Sequence, residues 1–136
     1  MSKAAQVKAP WLNSRDPEVP AALTYSELSM CSRVEEMVRR YPDYIAYEFM
    51  GKCTTYAEMW KKINACAKSL KAIGIREGDK VTICMPNAPQ TLCMFYAVNM
   101  VGAIANMVHP LSAESEIAFY LRDSGSVAAI TLDQFY

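Results

Sequence analysis

Only a few side chains in this sequence could do chemistry. His109 is the single histidine and stands directly before Pro110. An imidazole can act as a base, but nucleophilic catalysis also needs a nucleophile beside it and a group that orients the base. No Gly-x-Ser-x-Gly elbow supplies that nucleophile. The cysteines Cys31, Cys53, Cys66, Cys84 and Cys93 include no Cys-x-x-Cys pair. With one histidine besides, no zinc-type ligand set can be assembled from spacing. Reduced thiols, several of them buried as small apolar groups, are the expectation.

Phosphate binding would need closely spaced glycines, so that backbone amides can approach the ligand. Gly51, Gly74, Gly78, Gly102 and Gly125 are scattered and read as turns and helix ends. Asp123-Ser124-Gly125-Ser126 has the composition of an anion nest, but a helix stop is the favoured reading. Asp79 and Asp133 fall at strand edges, and no carboxylate pair can be placed in one cleft. No catalytic, cofactor-binding or metal-ligating residue is assigned. His109 is the one candidate near a ligand cleft, because it ends a predicted parallel strand, where open α/β sheets bind ligands.

The composition narrows the classes further. The chain has 136 residues, 52% hydrophobic and 21% charged, which suits one folded domain. Lys plus Arg is 14 and Asp plus Glu is 14, so no net field attracts nucleic acid or anionic lipid. From Val81 to Ala113 there is no Asp, Glu, Lys or Arg. A membrane span needs about 20 consecutive apolar residues, and Pro86, Asn87, Pro89, Gln90, Asn99, Asn106 and His109 interrupt this stretch. A buried core is expected rather than a membrane span. The first thirty residues show no basic start followed by an apolar run, so a cytoplasmic protein is expected.

The elements that must position these residues follow from periodicity. Residues 1–25, with Pro10, Pro17 and Pro20, read as an irregular arm. A helix begins near Ser29 or Ser32, the latter with Glu35 at capping-box spacing, and stops at Pro42. Tyr44–Met50 is strand-like, Gly51-Lys52 suits a type II′ turn, and Cys53–Thr55 returns. Thr55 and Glu58 open a long helix with Tyr56, Trp60, Ile63, Ala67 and Leu70 on one face, closed by Gly74. Lys61, Lys62, Lys68 and Lys71 lie opposite, with Glu58 and Lys62 spaced as an i,i+4 pair.

Val81–Met85 is apolar enough for a strand covered on both faces. Pro89 then enters the first turn of an all-round apolar helix ending near Gly102. Ile104–Val108, a helix capped by Ser112 and ended by Gly125, and Val127–Leu132 complete the series. The expected fold is α/β: a parallel-sheet β-α-β-α-β subdomain with helices on both faces, preceded by a helix and a β-hairpin. Its expected core includes Trp60, Ile63, Leu70, Val81, Ile83, Phe95, Val98, Ile104 and Phe119. The sheet edge is left uncovered, so the chain reads as a truncated part of a larger fold that would self-associate through its apolar edge.

The order of local signals resembles a known family. Tyr41-Pro42-Asp43, Thr55-Tyr56-Ala57-Glu58-Met59, Gly74-Ile75, Gly78-Asp79-Lys80-Val81, Met85-Pro86-Asn87, Gly102-Ala103, Pro110 and Asp123-Ser124-Gly125 follow one another at suitable spacings. Together they resemble the N-terminal segment of AMP-forming acyl-CoA synthetases, in the adenylate-forming superfamily shared with luciferase and peptide-synthetase adenylation domains. The resemblance covers about residues 29–132 and makes residues 26–136 an incomplete N-terminal α/β subdomain. The chain departs from the family pattern at His109, where many relatives carry Asn or Asp, and near Val101, where many have Lys.

The resemblance implies a parent ligase using ATP, Mg²⁺ and coenzyme A to activate a carboxylic acid, in particular a fatty acid. An acyl adenylate forms first and a thiol then takes the acyl group. The family's Ser/Thr/Gly-rich phosphate loop, ribose-binding acid and C-terminal lysine lie downstream and have no counterpart in this sequence. The 136-residue chain is therefore expected to bind no cofactor and to catalyse nothing alone. A different class remains open: a free-standing α/β binding or interaction module. A membrane-associated protein would rest on the uncharged stretch alone.

Overall fold

A computed structural model describes residues 10–20 and 22–135. Of the arm expected over residues 1–25, positions 1–9 and 21 lie outside the described residues, and Pro10–Ser14 forms a short 3₁₀ turn. Helix α1 spans Met30–Arg40. Ser29 is its N-cap, its side chain accepting a hydrogen bond from the Ser32 N–H, so the Ser32–Glu35 capping box is not formed. Ser32 already sits in the first helical turn, where its own amide needs a partner. Tyr41 ends the helix before Pro42, and the Cys31 N–H donates to Asn99 Oδ1 at 3.0 Å, tying α1 to a later helix.

Strands β1 (Ile45–Phe49) and β2 (Lys52–Thr55) form the antiparallel hairpin, with Phe49 opposite Lys52. The turn is therefore Met50-Gly51, one residue earlier than the expected Gly51-Lys52. Both residues have positive φ (51° and 76°), as a type I′ turn requires. The sequence signal misleads because methionine is an uncommon occupant of the left-handed region.

Thr55 and Glu58 do form a reciprocal capping box at the start of α2 (Tyr56–Ala72). That commits the Glu58 carboxylate to the helix end, and Lys62 turns instead to the Tyr47 hydroxyl at 3.4 Å. Gly74 closes α2 with φ +94°, and the Ile75 N–H reaches back to the Leu70 carbonyl, which folds Ile75 into the core. Gly102 and Gly125 close α3 (Pro89–Met100) and α4 (Glu114–Ser124) with the same pattern of bonds. Ser112 does not cap α4. The N-cap is Ala113, whose N–H donates to the Glu116 carboxylate, so only half of a capping box exists.

Strands β3 (Lys80–Cys84), β4 (Ile104–Val108) and β5 (Ala128–Thr131) make a parallel sheet in the order β4-β3-β5. The stretch without charged residues is thus the central strand, α3 and an edge strand of this sheet. Among the described residues no helix is long and apolar enough to cross a membrane. Side chains alternate across the sheet. Val81 and Ile83 join Met59, Ile63, Ala67 and Leu70 of α2 and Cys93, Ala97 and Val98 of α3 in the main core. Thr82, Cys84, Ala129 and Thr131 face α4 through Ile117, Ala118 and Leu121. Helices therefore flank both faces, as the alternation of strands and helices predicts.

Two expected core residues are not buried. Ile104 is 52% exposed because it opens edge strand β4, and Phe119 is 53% exposed on the outer side of α4. Trp60 and Phe95 are partly buried and pack against the core, while the other five expected residues are buried in it.

Candidate functional site

The strand order creates a crevice. The chain leaves β3 toward the α2–α3 face and leaves β4 toward the α4 face, so two adjacent loops diverge. Such a divergence at the carboxyl ends of parallel strands is where open sheets bind ligands. Here it holds a hollow of about 390 Å³ lined by Met85, Pro86 and Asn87 from the first loop and Val108, His109, Pro110 and Leu111 from the second, with Met107 between. His109 stands where the sequence places it, at the strand end.

Its immediate role is local. His109 is exposed, and its Nδ1 accepts a hydrogen bond from the Leu111 N–H at 3.2 Å, two residues on. Its carbonyl accepts from the Ser112 N–H at 3.1 Å, and the Cys84 thiol approaches the same oxygen at 4.0 Å. The ring nitrogen thus does what an Asx side chain does in a turn. His109→Asn should hold the turn, whereas His109→Ala should cost about 0.5–1.5 kcal/mol. Denaturant midpoints check this, and equal values for the two variants would contradict it.

A second hollow, of about 450 Å³, adjoins the crevice and shares Asn87 and Met107 with it. Tyr47 and Phe49 of β1 form one side, and Leu92, Phe95 and Tyr96 of α3 the other. A trough therefore runs from the strand ends to the hairpin, mostly apolar, with Asn87 and His109 at its mouth and Glu48 and Thr91 among its walls. Sequence reasoning misses it. Tyr47 and Phe49 do alternate as one strand face should, but α3 is apolar all round and gives no sign of which side stays open.

The structure disposes of the anion nest. The Gly125 and Ser126 amides donate to the Arg122 and Leu121 carbonyls, so neither is free for a ligand. The nearby hydroxyls instead form a chain. Ser124 Oγ donates to the Leu121 carbonyl, so Ser126 must donate to Ser124 at 2.8 Å, and Thr82 to Ser126 at 2.7 Å. Asn106 Nδ2 completes it by donating to Thr82 Oγ1 at 2.9 Å. The chain spans the α4 face of the sheet from β4 to the end of α4. Its sequence signal is a neutral polar residue at the centre of each of two mainly apolar strands.

Among the described residues no group of three or more His, Cys, Asp or Glu side chains converges. All five cysteines carry free thiols, and burial pushes Cys31, Cys66, Cys84 and Cys93 up from the ordinary thiol value of 9.0. Below that value folded and unfolded chains are both protonated, and the thiols leave stability unchanged. As pH rises past it the unfolded chain ionises first, so stability should fall progressively through the higher folded-state values. Denaturant midpoints taken from neutral pH to above pH 9.0 measure this. A flat profile would show that the thiols are not held protonated by the fold.

Comparison with known proteins adds to this geometry. A family model described as AMP-binding enzyme matches residues 34–135. A long-chain-fatty-acid–CoA ligase of Bacillus subtilis is 31% identical over 131 residues, which is 96% of this chain and 23% of that protein. The chain thus spans under a quarter of that ligase's length. Among solved structures, the N-terminal subdomain of Klebsiella oxytoca NpsA superposes with a TM-score of 0.73 at 27% identity, over 76% of this chain and 27% of that one. The inhibitor-bound N-terminal domain of FACL13 from Mycobacterium tuberculosis superposes with a TM-score of 0.71 at 34% identity, over 74% of this chain and 26% of that one.

Proposed function

Since the chain belongs to the family of AMP-binding enzymes, we propose that it is the N-terminal scaffold of an AMP-forming ligase that activates a fatty acid for transfer to coenzyme A. A carboxylate is a poor electrophile. Joined to AMP with release of pyrophosphate it becomes a mixed anhydride with a good leaving group, which the thiol of coenzyme A can displace to give the thioester and AMP. The long-chain-fatty-acid–CoA ligase of Bacillus subtilis, matched over nearly the whole of this chain, supports this choice of substrate.

One observation in the fold carries the reading: the strand-end crevice continues into an apolar trough. In this reading Leu92, Phe95 and Phe49 shield part of an aliphatic chain, while Asn87 and His109 stand at its mouth.

The residues present do not fit ATP and Mg²⁺. The crevice offers one carboxamide and one imidazole and no carboxylate for a hard cation. The amides at Gly74, Gly102 and Gly125 close helices rather than facing a phosphate. These 136 residues supply a wall of the site and no chemistry of their own. The direct test is to read the coding sequence beyond Tyr136. The proposal expects a Ser/Thr/Gly-rich loop ending in Lys within a few dozen codons. A stop codon directly after Tyr136 would favour the free-standing binding module.

A further inference from the structure

Three sulfur-bearing side chains line one cavity between α2 and α3. Cys66 on α2 and Cys93 and Met94 on α3 line a hollow of about 340 Å³, together with Lys62, Pro89 and Gln90. Cys93 is 4% exposed, Cys66 is half-buried, and Lys62 and Gln90 are exposed, so the hollow reaches solvent on their side. The groups also sense one another. Burial raises the Cys93 thiol most, the neighbouring Cys66 raises it further, and the Lys62 ammonium pulls it back.

We propose that Cys66 and Cys93, supported by the Met94 thioether, form a binding site for a soft monovalent cation of the Cu(I) type. Thiolate and thioether sulfur select such ions, whereas calcium and magnesium need several oxygen ligands, and this cavity offers the single Gln90 carboxamide and no carboxylate. Zinc prefers four ligands from Cys, His or carboxylate, and only two such side chains are present here. Binding breaks two S–H bonds and forms two S–metal bonds. Two protons leave to solvent, and nothing is oxidised or reduced. The cation's own charge reverses the effect of burial and holds both sulfurs deprotonated. The resulting dithiolate complex carries one net negative charge, which the Lys62 ammonium balances.

The test is an anaerobic titration of the full chain with Cu(I) against a competing colorimetric chelator, in the presence of a phosphine reductant. The expected result is one ion bound per chain with release of two protons, and affinity that rises with pH. Cys66→Ser and Cys93→Ser should each weaken binding on the order of a hundredfold, because the second thiolate then no longer binds intramolecularly. Cys53→Ser, at an exposed position on the hairpin, should leave affinity unchanged. Lys62→Gln should shift the pH dependence upward while keeping one ion per chain. Circular dichroism confirms folding of each variant. Should Cys93→Ser fail to fold, the half-exposed Cys66→Ser decides alone. Wild-type affinity no higher than that of Cys66→Ser, or a loss that follows Cys31, Cys53 or Cys84 instead, would overturn the proposal.

Discussion

Ile83→Ala is expected to destabilise the chain by about 2–5 kcal/mol, the range for truncating a fully buried aliphatic side chain. Ile83 is 0% exposed on β3, pairs with Met107 on one side and Ile130 on the other, and faces the core of α2 and α3. No neighbour can collapse into the space without moving the central strand, so a cavity remains. Phe119→Ala provides the contrast. It removes a larger side chain but from an exposed position, and surface changes usually stay within about 0.5 kcal/mol. Urea midpoints with unchanged slopes measure both. Equal losses would show that the sheet faces have been assigned wrongly.

Thr82→Val should cost about 1–3 kcal/mol despite preserving shape, because it strands two half-buried polar partners. Thr82 is 0% exposed, accepts from Asn106 Nδ2 and donates to Ser126 Oγ. Valine removes the acceptor of the Asn106 carboxamide N–H and the donor to Ser126 Oγ, which keeps only its bond to Ser124. Thr82→Ser keeps the hydroxyl, so its loss should be limited to that of one buried methyl, about 1 kcal/mol. The ordering of the two variants is the decisive quantity. Were valine tolerated better than serine, the hydroxyl chain would contribute nothing to the fold.

Where two local signals coincide, the sequence is explicit about this fold. Thr55 with Glu58 marks the start of α2, and Gly74, Gly102 and Gly125 mark three helix ends, because only a left-handed residue lets the next amide reach back to the last turn. The parallel sheet is legible because Val81–Met85 lacks the alternation a half-exposed strand would show. Errors arise where burial depends on distant partners. Ile104 and Phe119 have apolar side chains in regular elements, and nothing local says that one lies at a strand end and the other on an outer helix face. The turn at Met50-Gly51 is misplaced by one residue for a related reason: hairpin register answers to pairing along both strands, not to the best turn residue alone.

The candidate site is legible only in part. His109 can be placed at a strand end from its position before Pro110, but its use as a turn acceptor needs the distance to Leu111. The trough cannot be read at all, since Phe49 and Phe95, with 45 positions of chain between them, come to line one hollow through packing alone. The Asn106-Thr82-Ser126-Ser124 chain is likewise invisible until three elements come together.

Release of pyrophosphate from ATP, with Mg²⁺ and fatty acids of graded chain length, distinguishes a scaffold from a catalyst. It would be measured on the folded 136-residue chain and, in parallel, on the protein encoded by the full reading frame. The account predicts no release from the 136-residue chain above a no-protein control, and fatty-acid-dependent release from the longer protein. Release by the 136-residue chain that His109→Ala abolishes would contradict it, and would place catalytic chemistry in the strand-end crevice.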